Sequence, residues 1–266
     1  MNLTQLKGCQ KILNESYEKI LFPLFDQNHH NQLLVDKFKH IFEINIILRK
    51  LSENGGSNVL DFGCGAGINV LLLSTLFDIR CVVVDRFDEF ESEHKRSAGN
   101  IDVVISRLQN AGVRVIRDSY HNLDMYNDLI GSFDIVSSFD VIEHLTESPY
   151  KYILKLNSLK KSSGNLIIGT PNQQHIYNRI KGLFGRNTWE DFDIWFECNC
   201  FYGHVRELIV DDLRNIARKY LIKPDGQYEI HSSNYVLRYR LSNLGAILDM
   251  ALSKLSHLSY YIVLVA

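Results

Sequence analysis

No stretch of this chain approaches the roughly 18 consecutive apolar residues of a membrane-spanning helix. The N-terminal run MNLTQLKGCQKILNESYEKILF lacks the uninterrupted apolar core of a secretory leader, and the closing SYYIVLVA is far too short to span a bilayer. Cysteine is scarce and poorly placed for pairing. Cys9, Cys64, Cys81, Cys198 and Cys200 are odd in number and form no C-x-x-C, which argues against both a disulfide framework and a zinc knuckle. A reduced, cytoplasmic compartment is the expectation. Excess charge of one sign is also missing: 29 Lys and Arg stand against 31 Asp and Glu. Nucleic acid is therefore a disfavoured partner. Because no repeat, low-complexity tract or Pro/Gly/Ser linker divides the chain, residues 1–266 read as a single domain.

What is present is a regular alternation. Hydrophobic residues make up 45% of the chain, enough for a sizeable core. Residues 1–56 read as a helical extension that SENGGSN, with its turn formers, brings to a stop. Strand-sized apolar runs follow at 58–62, 80–84, 114–117, 133–138 and 164–170, and again near 228–231 and 260–265. Helical patterns lie between them, including 68–77, 100–111, 140–160, 210–220 and 236–256. Such alternation points to an α/β fold with a mainly parallel sheet. Residues 173–207 break the rhythm and read as an inserted lid.

The strongest local signal is VLDFGCGAG at 59–67. Gly63, Gly65 and Gly67 follow G-x-G-x-G, whereas a dinucleotide fingerprint needs its third glycine where Ile68 stands. A tight strand-to-helix turn with backbone open to a ligand needs glycine. Asp61 at its mouth suits a ligand carrying a positive amino group. Asp85 ends the next strand with Arg86 beside it, placed for ribose hydroxyls. Asp118 and Ser119 end the third strand, and Ser138 and Phe139 close the fourth. Any one of these acids is commonly a cap or turn residue. In this order, at successive strand ends, they read as a ligand crevice.

Together VLDFGCGAG, CVVVD, FDIVSSFDVIEHL and GNLIIGTPN resemble the class I S-adenosylmethionine-dependent methyltransferases, over roughly residues 40–266. The resemblance implies a Rossmann-like seven-stranded sheet of order 3-2-1-4-5-7-6 with the last strand antiparallel. It implies S-adenosylmethionine as cofactor. Asp61 and the glycines would then face its methionine part, Asp85 its ribose, and 118–120 its adenine.

Methyl transfer from a sulfonium needs alignment, exclusion of water and, for a hydroxyl acceptor, removal of a proton. Asp140, Glu143 and His144 in DVIEH have helical i, i+3, i+4 spacing, and His204 precedes a later helix. Two carboxylates and two histidines suit a mixed site for a divalent ion such as Mg, Mn or Zn. The pattern is similar to the E-x-x-E-H and downstream His of small-RNA 2′-O-methyltransferases and ubiquinone-pathway O-methyltransferases, with Asp140 in place of the first Glu. Without a metal, His144 or His204 would serve as base, and Asp140 as a helix cap.

The inserted segment carries His175, Tyr177, Asn178, Arg179, Trp195 and Tyr202, a mixture of aromatic faces and polar donors that suits sugar rings as well as planar aromatics. Its TPN, NRIK and GHVRE resemble methyltransferases of bacterial surface-polysaccharide biosynthesis. The expected acceptor is therefore a hydroxyl of a surface-glycan sugar. A phenol or quinone-type metabolite, an RNA 2′-hydroxyl, and a cofactor-binding protein without catalysis are the alternatives. In the late helix, the stripe Leu237, Leu241, Leu244, Leu248, Leu252 and Leu255 is expected to cover the sheet, with homodimerisation or peripheral membrane contact as the other readings.

Overall fold

Two long helices precede the first strand in the computed structural model, which describes residues 3–87, 101–189, 192–196, 203–222 and 226–266. They are α1 (Leu3–Leu21) and α2 (Gln27–Asn54). Ile41, Ile44, Ile47, Leu48 and Leu51 recur at three- and four-residue steps, so α2 buries one stripe. The Tyr17 hydroxyl of α1 donates to the Leu33 carbonyl at 3.1 Å and lies 2.7 Å from His40 Nδ1, fixing one helix on the other.

The alternation then runs β1 (Asn58–Phe62), α3 (Ile68–Phe77), β2 (Arg80–Asp85), α4 (Ile101–Asn110), β3 (Arg114–Arg117) and β4 (Phe133–Phe139). Next come α5 (Pro149–Leu159), β5 (Lys160–Pro171), α6 (Ile176–Leu183), α7 (Phe192–Phe196) and α8 (Val210–Ile216). The chain closes with β6 (Glu229–Ser233), α9 (Tyr235–Leu252) and β7 (Tyr261–Val265). Strand order is β3-β2-β1-β4-β5-β7-β6, with β7 antiparallel to β6, matching the order the resemblance implies. Four residues of β1 and all of β7 are buried, as parallel and central strands demand. Two compact units are distinguished, one of Met1–Phe139 with Tyr152–Ile167 and one of Asp140–Lys151 with Ile168–Ala266.

Two expected helices differ. The segment 140–160 is not one helix: Asp140 takes a left-handed φ of 55°, a 3₁₀ turn spans Ile142–His144, and α5 begins only at Pro149. Proline is well placed in a first turn, where its missing N–H costs nothing. The late helix α9 does not lay its leucine stripe on the sheet. It bends back on itself, so closely that a Cβ on Gly245 would lie 1.9 Å from the Leu237 carbonyl oxygen. Leu241, Leu244 and Leu255 are left exposed.

At the opposite end of the first unit from its glycine turn, Asp134 starts β4 and binds the entry to β1. Its Oδ2 accepts the N–H groups of Ser57 and Asn58, each at 3.0 Å, and its Oδ1 accepts Lys161 Nζ at 2.7 Å. Burial opposes its ionisation, but these three donors overcome that and hold the carboxyl below its usual range. Asp134→Ala should destabilise the fold by roughly 1.5–3 kcal/mol, the scale of hydrogen bonds to a charged group. The deficit should show in urea unfolding at pH 7 and shrink as acid protonates the parent's Asp134.

Candidate cofactor cradle and acid–histidine cluster

The first candidate site is the turn from β1 into α3. Gly63, Gly65 and Gly67 all take positive φ, at 72°, 51° and 72°. At Gly67 the φ of 72° strains any side chain, and a Cβ there would lie 2.4 Å from Leu108 Cδ2 of α4, which would have to move. The third glycine thus permits helix packing, while the first two shape the turn. The Gly63 N–H donates to the Val84 carbonyl at 2.8 Å, pinning the turn to the end of β2.

Asp85 completes that clamp. Its Oδ2 accepts the Gly65 N–H at 2.8 Å and its Oδ1 the Phe87 N–H at 2.6 Å. Phe87 is fully buried at a φ of 58°, an unfavourable conformation that persists only where the surroundings impose it. Arg86, between them, is exposed. The carboxylate expected at a ribose therefore also holds the glycine turn in shape.

Asp61 lies opposite Ser137 in the β1–β4 register, and the Ser137 hydroxyl donates to its Oδ1 at 2.7 Å. Burial raises the Asp61 carboxyl to about 7, the Ser137 hydrogen bond acting against the shift and the charge of Asp85 with it. Ser138 points to the other face of the strand, where its hydroxyl bonds that of buried Tyr152. Phe139 is half-buried at the strand's end. Asp118 spends its carboxylate locally: Ser119 N–H, Asn122 Nδ2 and the Tyr126 hydroxyl donate to it at 2.7, 2.8 and 2.9 Å. Ser119 in turn caps the next 3₁₀ turn by accepting the His121 N–H.

The second candidate site belongs to the other unit. Glu143, His144 and His204 each offer a ligand atom, all within 4.8 Å of one another. Glu143 is fully buried, and burial, followed by the charge of Asp140, pushes its carboxyl well above the usual range. Its Oε2 accepts the Thr170 hydroxyl at 3.1 Å, whereas its Oε1 is buried with no hydrogen-bond partner. His144 Nδ1 lies 3.1 Å from the Gly203 carbonyl, and His204 Nδ1 lies 2.7 Å from Glu207 Oε1. Each contact selects the tautomer with its proton on Nδ1 and its lone pair on Nε2. The Glu143 carbonyl accepts the N–H groups of Val205 and Arg206 at 2.8 and 3.1 Å, so backbone ties the two limbs together. Asp140 does not join them. Its left-handed φ takes it off any shared helical face, and its N–H is spent on the Gly169 carbonyl.

With this geometry in view, residues 39–223 match a family model described as a methyltransferase domain. The chain belongs to that methyltransferase family. No curated protein matches it in sequence. Among solved structures it is similar to a methyltransferase of Thermotoga maritima described as a possible histamine N-methyltransferase. That pair has TM-score 0.53 and 14% identity over 90% of this chain and 93% of the other. A methyltransferase of Archaeoglobus fulgidus has TM-score 0.52 and 19% identity over 89% and 98%. A small RNA methyltransferase has TM-score 0.54 and 17% identity over 84% of this chain but only 25% of its own. These likenesses establish the fold. Family and fold together support S-adenosylmethionine as the cofactor.

The methyltransferase's inserted segment has a closed base. Asn172 and Leu208 form a parallel bridge, so 173–207 leaves and rejoins the fold at one point. His175 and Asn178 are buried: His175 packs on Tyr177 and Tyr260, and Asn178 Nδ2 donates to the Gln173 carbonyl at 2.9 Å. Arg179 donates to the Gln174 carbonyl and side chain at 2.7 and 3.1 Å. Asn178 and Arg179, expected at an acceptor, anchor the start of α6 through these donors, while His175 contributes its buried ring. Tyr177 and Trp195 are exposed, and Tyr202 lies outside the described residues. Ser137, Thr170 and Glu207 were not singled out from sequence. Glu207 left no signal, since His204 and Glu207 pair in irregular chain ahead of α8 rather than on a helix face.

Asp61 makes a testable demand on the methyltransferase without ligand. Its carboxyl titrates near 7 when folded against an ordinary 3.8. The folded chain therefore holds a proton there that the unfolded chain has lost, and stability falls as pH rises between those values. Asp61→Asn should remove this slope, with the variant gaining on the parent from pH 4 to 7 and no further above. Parallel melting curves across pH check it.

Proposed function

We propose that this methyltransferase transfers the methyl group of S-adenosylmethionine to a hydroxyl oxygen, and that the acceptor is a sugar of a surface glycan or its precursor. The observation that carries the oxygen acceptor is the convergence of Glu143, His144 and His204. A neutral amine attacks a sulfonium with its own lone pair. An alcohol must lose a proton to something positioned for the task.

In this reading Asp61 receives the cofactor's ammonium, which favours its ionised form. Asp85 accepts from the ribose hydroxyls while holding the Gly65 and Phe87 amides. His204, oriented by Glu207, takes the acceptor proton through Nε2, and Glu143 and His144 fix the hydroxyl beside it. The exposed rings of Tyr177 and Trp195 offer faces to a sugar.

The same three side chains fit a divalent ion. Ligands about 2.1 Å from one ion in a tetrahedral site lie roughly 3.4 Å apart, so the three, now within 4.8 Å of one another, would draw together on binding. The buried Oε1 without a partner is the donor such an ion would satisfy. Glu143, His144 and His204 would hold it, with Glu207 and Gly203 orienting the two rings. When bound, it would lower the pKa of the acceptor hydroxyl.

Methyl transfer scored over nucleotide sugars, lipid-linked glycans, catechols, amines and RNA, with and without EDTA, tests the proposal. Turnover on a sugar hydroxyl is expected, and amine-only turnover overturns the oxygen acceptor. Loss in EDTA, restored by Mg, Mn or Zn, identifies the ion-dependent form. Full activity in EDTA leaves His204 as the base, and Glu207→Gln should then lower kcat with little change in KM. In either form, Asp85→Ala should weaken S-adenosylmethionine binding by at least about 1.5–3 kcal/mol in calorimetry. The loosened turn adds to the lost ribose contact.

A further inference from the structure

Strands β6 and β7 are antiparallel neighbours, yet residues 234–260 intervene as an excursion carrying α9. The fold-back of α9 decides what faces inward. Gly245 meets Leu237, Arg238 Nη1 lies 3.9 Å from Asp249 Oδ2, and Asp249 Oδ1 accepts the Asn234 N–H at 2.5 Å. Asp249 is the excursion's single acid, and it is buried. Outward stand Leu244, Ile247 and Met250, exposed by 57%, 59% and 65%, with Tyr239 and Leu241 beside them in sequence. The charges exposed there, on Arg240 and Lys254, are positive.

The same composition recurs on the same unit at α6. Leu183 and Phe184, at its end, are 84% and 76% exposed, and Trp189 follows them outward. Arg179, Lys181 and Arg186 are interspersed, and the acids Glu190, Asp191, Asp193 and Glu197 begin only after Trp189. Tyr177 carries Lys181 Nζ 4.9 Å from its ring centroid.

We propose that these two surfaces are where the protein docks on an anionic phospholipid bilayer. Exposed leucine, isoleucine and methionine are stabilised by entering the boundary between headgroups and acyl chains. Tyrosine and tryptophan favour that same boundary, where one end is apolar and the other wet. The exposed basic residues, with no exposed acid in the α9 excursion, complement the headgroups. A second copy of the chain fits less well. A twofold contact would set Arg240 of one copy near that of the other, with no exposed acid in the excursion to relieve them. The whole chain carries a formal charge of −2, so the attraction is local and short-ranged. No described helix is long and apolar enough to cross a membrane, so the contact is peripheral. It holds whichever acceptor is methylated.

Co-sedimentation of the full chain with vesicles tests this. Vesicles of equal phosphatidylglycerol and phosphatidylcholine should pellet the protein at least about tenfold more strongly than phosphatidylcholine alone at 0.1 M salt, and most of the difference should vanish by 0.5 M as screening shortens. Ile247→Glu/Met250→Glu and Leu183→Glu/Phe184→Glu should each weaken binding, and the fourfold variant should abolish it. Arg240→Gln/Lys254→Gln, which leaves the packing untouched, should weaken binding to the anionic vesicles only. Equal pelleting with both vesicle types overturns the proposal, as does parent-like binding by the charge variant or the fourfold variant. A dimer in light scattering that the α9 substitutions dissolve, with no vesicle binding by the parent, replaces it with self-association.

Discussion

The turn from β1 into α3 takes its backbone into the left-handed region three times within five residues, and something must hold it there. Here three glycines supply the conformation, and Asp85 supplies the hold through the Gly65 and Phe87 amides. The remaining geometry of the first unit follows from that turn. It fixes the start of α3, brings Leu108 of α4 against Gly67, and leaves Asp61 buried at the end of β1 beside Ser137. A buried carboxylate with one hydroxyl donor is poorly solvated, which is what makes it receptive to a cation. Shape and electrostatics at this site have one cause.

The acid–histidine cluster is organised differently. It relies on backbone carbonyls and a single 3₁₀ turn rather than on a helix face. Glu143 contributes its carbonyl to the limb that returns with His204 and its side chain to Thr170. Each histidine is oriented through Nδ1 by an acceptor outside the cluster. Such outer partners fix ring direction and tautomer more firmly than packing alone.

The strand–turn–helix at 58–77 and the acids at 61, 85 and 118 were legible because a glycine turn and strand-end carboxylates leave a pattern in neighbouring residues. Strand order was legible only through resemblance, since sequence spacing does not say which strands pair. Asp140 misled because i, i+3, i+4 spacing describes a helix face, and nothing in DVIEH announces that its first residue has a positive φ. Ser137 was passed over for Ser138 because the choice between them depends on register parity, which the pairing of Asp61 with Ser137 decides. The leucine stripe of α9 has the same period in a straight helix as in one folded back between Arg238 and Gly245. Asn178 and Arg179 look like ligand-binding residues in sequence because the donors that anchor a loop are the donors that grip a sugar.

The bridge between Asn172 and Leu208 makes 173–207 a cassette with adjacent stems, and excursions of that kind tolerate exchange better than segments threaded through a core. One restriction applies. His204 and Glu207 lie inside the cassette, while Glu143, His144 and Thr170 lie outside it. If the cluster carries the proposed chemistry, recognition and chemistry are inherited partly together. A replacement cassette that drops His204 and Glu207 would break up the acid–histidine cluster, which under the proposed function narrows the routes by which this scaffold can change its acceptor.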